Sequence, residues 1–316
     1  MRVVEHLERA ASPPISFEII PPLRGGKVDT LMGLIEDLSK YKPPFIDITS
    51  HGSQVIYEET ADGIRRKVKR KRPGTLGICA LIQNKYKIDA VPHVLCIGFT
   101  REETEDFLIE LNYLGIDNVL AIRGDENGFR KPLQYGRTSN DFAGDLVRQI
   151  AGMNQGRYLE EGLLDAEPTE FCIGVAGYPE KHFQAPNMAT DIRHTKEKVD
   201  AGGEYIVTQM FFDNRHYFRY VETCRAAGIE VPIIPGIKIL ATRNQLSLIP
   251  SKFYCEIPSD LADEVEAAKP EHVLDIGVEW AYKQAVDLLE KGVPSLHFYL
   301  MQSSKGIKKL MAKLKP

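Results

Sequence analysis

Eight short apolar runs, at positions 15–20, 45–49, 90–96, 118–122, 171–176, 205–211, 231–237 and 295–299, constrain the fold more than any other feature. Runs such as IIPGI are apolar at nearly every position, the pattern of a strand buried on both faces of a parallel sheet. Helical patterns separate the runs. Thr100 and Glu103 make a capping box that opens a helix ending near Gly115. Segments 191–201 and 214–227 are stopped by Gly202–Gly203 and by Gly228, and segment 270–291 starts at a proline and stops at Gly292. Strand and helix alternate, so the class is α/β with a parallel sheet. Eight strands within 316 residues predict closure into a single eight-stranded β/α (TIM) barrel, one domain over residues 1–316. Two stretches break the rhythm: 124–139, a polar glycine-rich loop, and 152–169, expected to extend a helix on the outside.

Composition narrows the partners. A net charge of -4 gives no reason to expect nucleic acid, and the basic run from Arg65 to Arg72 reads as the solvated face of a connecting segment. No apolar run approaches the roughly 20 residues of a membrane span. The first ten residues, MRVVEHLERA, carry charges where a signal peptide is apolar. Five dispersed cysteines and the absence of CxxC or HExxH fit reduced thiols in a cytoplasmic protein without a metal site.

In a β/α barrel the chemistry sits at the carboxyl ends of the strands. Read in order, those ends carry Glu18, then Thr49-Ser50-His51-Gly52, His93, Arg123-Gly124-Asp125, Tyr178 to His182, Gln209, Lys238 and Tyr299. Glu18 lies inside the apolar segment ISFEII, where burial raises a carboxyl pKa and suits it to donate a proton near neutrality. A structural Glu paired with a cation from another strand fits that position equally well. Asp125 is either a site carboxylate or the partner of Arg123 in a turn, and His93 reads first as a core histidine. No GxGxxG or GxxxxGK[ST] is present, so a dinucleotide would need separate rim loops, with Lys198 or His182 for phosphate and Asp191 for ribose.

The segments SFEIIPP, FIDITS, PHVLC, LAIRGD, VAGYPEKH, KVDAGGEYIVTQMFFD, IIPGIK and LHFY, in this order and spacing, resemble the methylenetetrahydrofolate reductase family over nearly the whole chain. The resemblance implies a barrel holding FAD, with NADH or NADPH as reductant and a small-molecule folate as substrate. It places Glu18 as the acid that protonates the folate nitrogen, and Asp125 as a pterin contact that sets the field near the flavin. FAD contacts carry over to Ser50, Gly52, His93, Arg123, Gly124, Asp125, Phe142, Ala143, Tyr178, His182, Ala185, Asp191, His194 and Lys198. Thr49 matches a nicotinamide contact; Gln209, Gln245 and Tyr299 match substrate positions. The chain departs at MQSS, after the last run, where relatives often carry an Arg.

Two other readings predict different observations. An imino-acid dehydrogenase-like flavin barrel accounts for FAD but not for the RGD and TQMFFD segments together. A non-catalytic barrel subunit would be colourless when purified and has no use for Glu18, Asp125 and Gln209. Relatives form dimers or tetramers, so self-association is an expectation. Only 17 residues follow Tyr299, ending in the basic helical pattern KGIKKLMAKLKP, so neither an S-adenosylmethionine-binding regulatory domain nor a response to that ligand is expected.

Overall fold

The computed structural model describes residues 1–70, 72, 74–125 and 131–314. Its strands, in chain order, are β1 (Ile15–Ile19), β2 (Phe45–Ile48), β3 (Gln54–Thr60), β4 (Gly63–Lys69), β5 (Asp89–Leu95) and β6 (Asn118–Ile122). They continue with β7 (Cys172–Gly177), β8 (Tyr205–Thr208), β9 (Ile233–Ile234), β10 (Gly236–Ile237) and β11 (Leu296–Met301). Nine of them form one parallel sheet in the order β10-β11-β1-β2-β5-β6-β7-β8-β9. The two ends of this order are one stave split at Pro235, whose ring removes the N–H that would continue the ladder. The Pro235 carbonyl accepts from His297 N–H and the Gly236 N–H donates to Thr208 Oγ1, so the split stave still joins both neighbours. The expected barrel is therefore present.

Alternation along the staves divides the apolar side chains into two sets. Phe17, Ile46, Ile48, Ala90, Val94, Val119, Ile173, Val175, Ile206 and Phe298 pack outward against the helices. Phe45, Val91, Leu120, Cys172, Tyr205, Val207 and Ile234 pack inward, and Val3 joins them from the helix Val3–Arg9. That helix closes the amino-terminal mouth of the barrel. It is tied there by Val3 N–H on Asn118 Oδ1 at 2.8 Å, His6 on Asp89 at 2.6 Å, and an Arg2–Glu204 ion pair. The other mouth is where the connecting loops gather.

Several expectations need correction. The run 205–211 is strand only to Thr208, because the chain leaves the sheet at Gln209. Segment 152–169 holds turns rather than a helix: the helix Ala143–Met153 ends at Asn154, and Asn154 then uses its side chain to tie Thr169 and Phe171. The basic run is solvated over Arg65 to Lys69 as expected, and the connecting segment that carries it is a β3–β4 hairpin outside the barrel sheet, every residue of β4 being exposed. Of the loop 124–139, residues 126–130 lie outside the described residues, and 131–139 form neither helix nor strand. No helix among the described residues is long and apolar enough to cross a membrane.

Glycines on the inner face make room for rings. A Cβ on Gly174 would lie 2.4 Å from the Tyr205 ring, which is fully buried. Gly174→Ala is expected to cost about 1–3 kcal/mol of stability in urea unfolding, the usual penalty for overpacking. Adding Tyr205→Leu should return part of that loss. Full wild-type stability of Gly174→Ala alone would show that the inner layer is not close-packed there.

Candidate active site

The inward positions of the staves turn polar toward the carboxyl-end mouth. The same alternation that buries Phe45 and Val91 places Asp47, Thr49, His93 and Glu18 one step nearer that mouth. His93 Nε2 stands 3.3 Å from Glu18 Oε2 and 3.8 Å from Asp47 Oδ2, with side-chain exposures of 6%, 14% and 0%. Burial opposes charge on His93, but Asp47 and Glu18 together outweigh it and raise the imidazole pKa to about 9. Glu18 is the nearer partner, at ion-pair distance but without a hydrogen bond, since His93 Nε2 has no hydrogen-bond partner among the described residues; Asp47, farther off, acts through its field. Neither Asp47 oxygen has a hydrogen-bond partner among the described residues, so the carboxylate depends on this cation.

Lys238 completes the group from the loop after β10. It is 8% exposed and donates from Nζ to the Tyr299 carbonyl at 2.8 Å. Burial lowers its pKa to about 8, partly offset by Glu18. Tyr299 points its hydroxyl at the Thr208 carbonyl, 2.6 Å away, which locks the ring against β8. Sequence alone places Lys238 at a strand end without a role and does not single out Asp47. The signal for both is phase: they are the charged residues that fall in step with Phe45 and Gly236 on the inner face.

Around the mouth, the loops bring the other expected residues into three groups. After β2, Thr49 N–H donates to the Ile19 carbonyl at 3.1 Å, while its buried Oγ1 has no partner among the described residues. Ser50 follows, and Gly52 lies close enough to the Ile97 carbonyl that a Cβ there would stand 3.2 Å from it. After β6, the Arg123 guanidinium sits 5.5 Å over the Phe142 ring, donates to the Asp141 carbonyl and reaches Gln184 Oε1 at 2.8 Å. Gly124 takes the left-handed conformation, φ +88°, and Asp125 beyond it is exposed. Phe142 and Ala143 open the helix Ala143–Met153.

After β7, Tyr178 meets His182 edge-on at 4.6 Å, and His182 N–H donates to Asp191 Oδ2 at 2.9 Å. Burial raises the Tyr178 hydroxyl pKa and lowers that of the His182 imidazole. Ala185 is buried behind this turn, its N–H on the His182 carbonyl. Lys198 donates to the Ala176 carbonyl, and burial lowers its pKa to about 8 against the pull of Asp191. His194, on the same helix, is exposed.

Two expected substrate residues are engaged locally. Gln209 Oε1 accepts from Met210 N–H, and Gln245 Oε1 accepts from Ala241 and Thr242 N–H, at 2.6 and 3.1 Å, shaping its own turn. Chain spacing points away from metals, yet Glu180 in the loop after β7, His216 in the first turn of the helix Asn214–Ala226 and Glu256 beyond β10 bring ligand atoms within 4.8 Å of one another.

The His93 cation makes a pH prediction. Its folded pKa lies above the ordinary 6.5, so protonated His93 contributes stability in full below pH 6.5, and the contribution disappears as pH rises through about 9. The loss is on the order of 3 kcal/mol. Urea unfolding of wild type and His93→Gln across that window should show the wild-type curve falling and the variant flat by comparison. Parallel curves would mean that His93 is neutral in the fold.

Comparison with known proteins identifies the family. The family described as methylenetetrahydrofolate reductase matches residues 2–315. The 5,10-methylenetetrahydrofolate reductase of Salmonella typhimurium is 31% identical over 295 residues, covering 91% of this chain and 86% of its own. Methylenetetrahydrofolate reductase 1 of Schizosaccharomyces pombe is 30% identical over 312 residues, covering 95% of this chain but 45% of its own, so the chain spans less than half of that relative. In fold, an uncharacterized protein from Clostridium thermocellum, described as binding two copies of 5-methyl-5,6,7,8-tetrahydrofolic acid, superposes with a TM-score of 0.61 at 12% identity, covering 98% of this chain and 96% of its own. With the family matched from end to end and a bacterial relative covered over most of its length, the chain belongs to the methylenetetrahydrofolate reductase family.

Proposed function

We propose that this chain reduces 5,10-methylenetetrahydrofolate to 5-methyltetrahydrofolate, with FAD as the bound cofactor and NADH or NADPH as the reductant. The observation that carries the reading is the Glu18–His93 contact at 3.3 Å inside the barrel mouth, a carboxyl and a cation held where a substrate entering from the rim would meet them.

The rim residues fit FAD. Arg123 from the loop after β6, His182 from the loop after β7 and Lys198 from the helix Met188–Asp200 would offer donors for a diphosphate, and Asp191 fixes the His182 backbone among them. Gly52 and Gly124 let the loops after β2 and β6 pack against Ile97 and Leu95, and the buried Thr49 Oγ1 has no partner among the described residues. When bound, the flavin would take a hydride from the nicotinamide and pass it to the folate methylene carbon. The protein's own part is a proton and a field. The proton comes from the Glu18–His93 pair: the imidazolium passes its proton to the Glu18 carboxylate, and Glu18 gives it to the folate nitrogen as the five-membered ring opens. Asp125 and Gln209, at the ends of β6 and β8, orient the pterin, together with Gln245 and with Tyr299, whose hydroxyl meets the end of β8. The barrel acts as one catalytic domain.

Two measurements test this. Acid release of the yellow chromophore should give FAD; FMN, or no flavin after reconstitution, would refute the cofactor assignment. Glu18→Gln keeps the shape of the side chain but removes the acid. The folate half-reaction should then slow by roughly 100- to 10,000-fold, the usual worth of general acid catalysis. Reduction of the flavin by the nicotinamide donor should persist, because hydride transfer between rings needs no acid. Equal losses in both half-reactions would assign Glu18 to cofactor binding or to the fold.

A further inference from the structure

The proposed reaction uses Glu18 and His93 and leaves Lys238 without a task. Strand register fixes its place. Glu18 pairs with Tyr299 of β11 on one side and with Asp47 of β2 on the other. Lys238 follows β10, whose Ile237 pairs with Phe298, so it comes level with Tyr299. Lys238, Tyr299, Glu18 and Asp47 therefore stand side by side on four neighbouring staves, and His93 faces the two carboxylates from the next stave, β5. The row has a cation at each end and the acids between them.

The two cations are not held alike. His93 faces two carboxylates. Lys238 donates to the Tyr299 carbonyl at 2.8 Å and has no second hydrogen bond and no ion pair among the described residues; Glu18 reaches it through its field alone. An ammonium has three donors and no acceptor, so two donors of this buried group lack a partner among the described residues. Leaving buried donors unpaired is unfavourable. Capping the Tyr299 carbonyl, past the end of the β10 ladder, needs a single N–H, which a neutral amide supplies without burying a charge. A cation in that position, level with Glu18 at the mouth, points to a ligand that brings acceptors.

The chemistry of the acceptor follows from Glu18. In the folate reading, Glu18 protonates a nitrogen of the methylene bridge, which joins N5 of the pterin ring to N10. The pterin ring has one oxygen, the C4 carbonyl, and it lies on the same edge as N5. A folate whose bridge meets Glu18 thus carries a carbonyl acceptor close to the bridge, and Lys238 is the cation in the row with donors to give.

We propose that Lys238 donates to the C4 carbonyl oxygen of the pterin ring and so selects 4-oxo pteridines over their 4-amino counterparts. This rests on the folate reading above and adds a specificity residue to it. A 4-amino group presents N–H where the carbonyl presents lone pairs, and it makes the ring more basic. Against an ammonium, donor then faces donor, and a cation faces a ring that readily takes a proton.

The test is calorimetric binding to the flavin-loaded protein, with 5-methyltetrahydrofolate and its 4-amino analogue as probes, in wild type, Lys238→Met and Lys238→Gln. Wild type should prefer the 4-oxo compound by roughly 100-fold, the worth of a charge-assisted hydrogen bond lost and a donor left unpaired. Lys238→Met, of similar length but without a donor, should bring the two affinities together, and Lys238→Gln, a neutral donor, should keep part of the preference. A role confined to packing or to the Tyr299 carbonyl would leave the preference in place in both variants. The wild-type comparison stands even if neither variant folds. Equal wild-type affinities, or a preference that survives intact in Lys238→Met, would overturn the assignment of Lys238 and leave the folate reading standing. Failure of the wild type to bind either pteridine would overturn both.

Discussion

Glu18, Asp47 and His93 occupy one level of the barrel interior, and burying two carboxylates beside an imidazole is tolerable only if the imidazole carries a proton. That requirement divides the barrel along its axis. Below this level the interior packs Phe45, Val91, Leu120 and Tyr205 beside the buried Ser16–His297 hydrogen bond, and the helix Val3–Arg9 closes the amino-terminal side. Above it the loops after each stave stand apart and present donors. The charged level is where the closed half meets the open half, and a group reaching it from the mouth meets a carboxyl and a cation already in contact.

The rest of the site follows from which staves carry small residues. Gly174 and Gly236 admit the rings of Tyr205 and Tyr299 to the interior, and Tyr299 in turn places its carbonyl for Lys238. A second cation thereby reaches the neighbourhood of Glu18 without a carboxylate of its own to neutralise it. The rim groups are held differently, by short backbone hydrogen bonds within each loop, as in the His182–Ala185 turn against Asp191. Interior charge is fixed by the sheet, rim charge by local turns, which suits chemistry below and ligand holding above.

Much of this is legible in the amino-acid sequence. Continuous apolar runs mark parallel staves because both faces are buried, and Glu18 and His93 stand out as polar residues within such runs. What stays hidden has a common cause: apolar runs show where a stave lies but not its phase. Asp47 sits inside FIDIT, where only pairing with inward Phe45 shows that it faces His93. The hairpin is hidden because QVIYEET and GIRRKVK bury neither face, so they read as solvated connection. Pro235 splits a stave whose sequence is continuously apolar, and the Glu180, His216 and Glu256 cluster joins three segments distant in sequence.

The protonated imidazole at the charged level is the claim on which the account turns, and it can be observed directly. Nitrogen NMR of selectively labelled histidine, with His93 assigned by substitution, reports the charge of that ring across pH. The ring is expected to stay protonated through neutrality and to titrate near pH 9, and to titrate lower in Glu18→Gln. A His93 ring that titrates near the ordinary 6.5 in both proteins would contradict it.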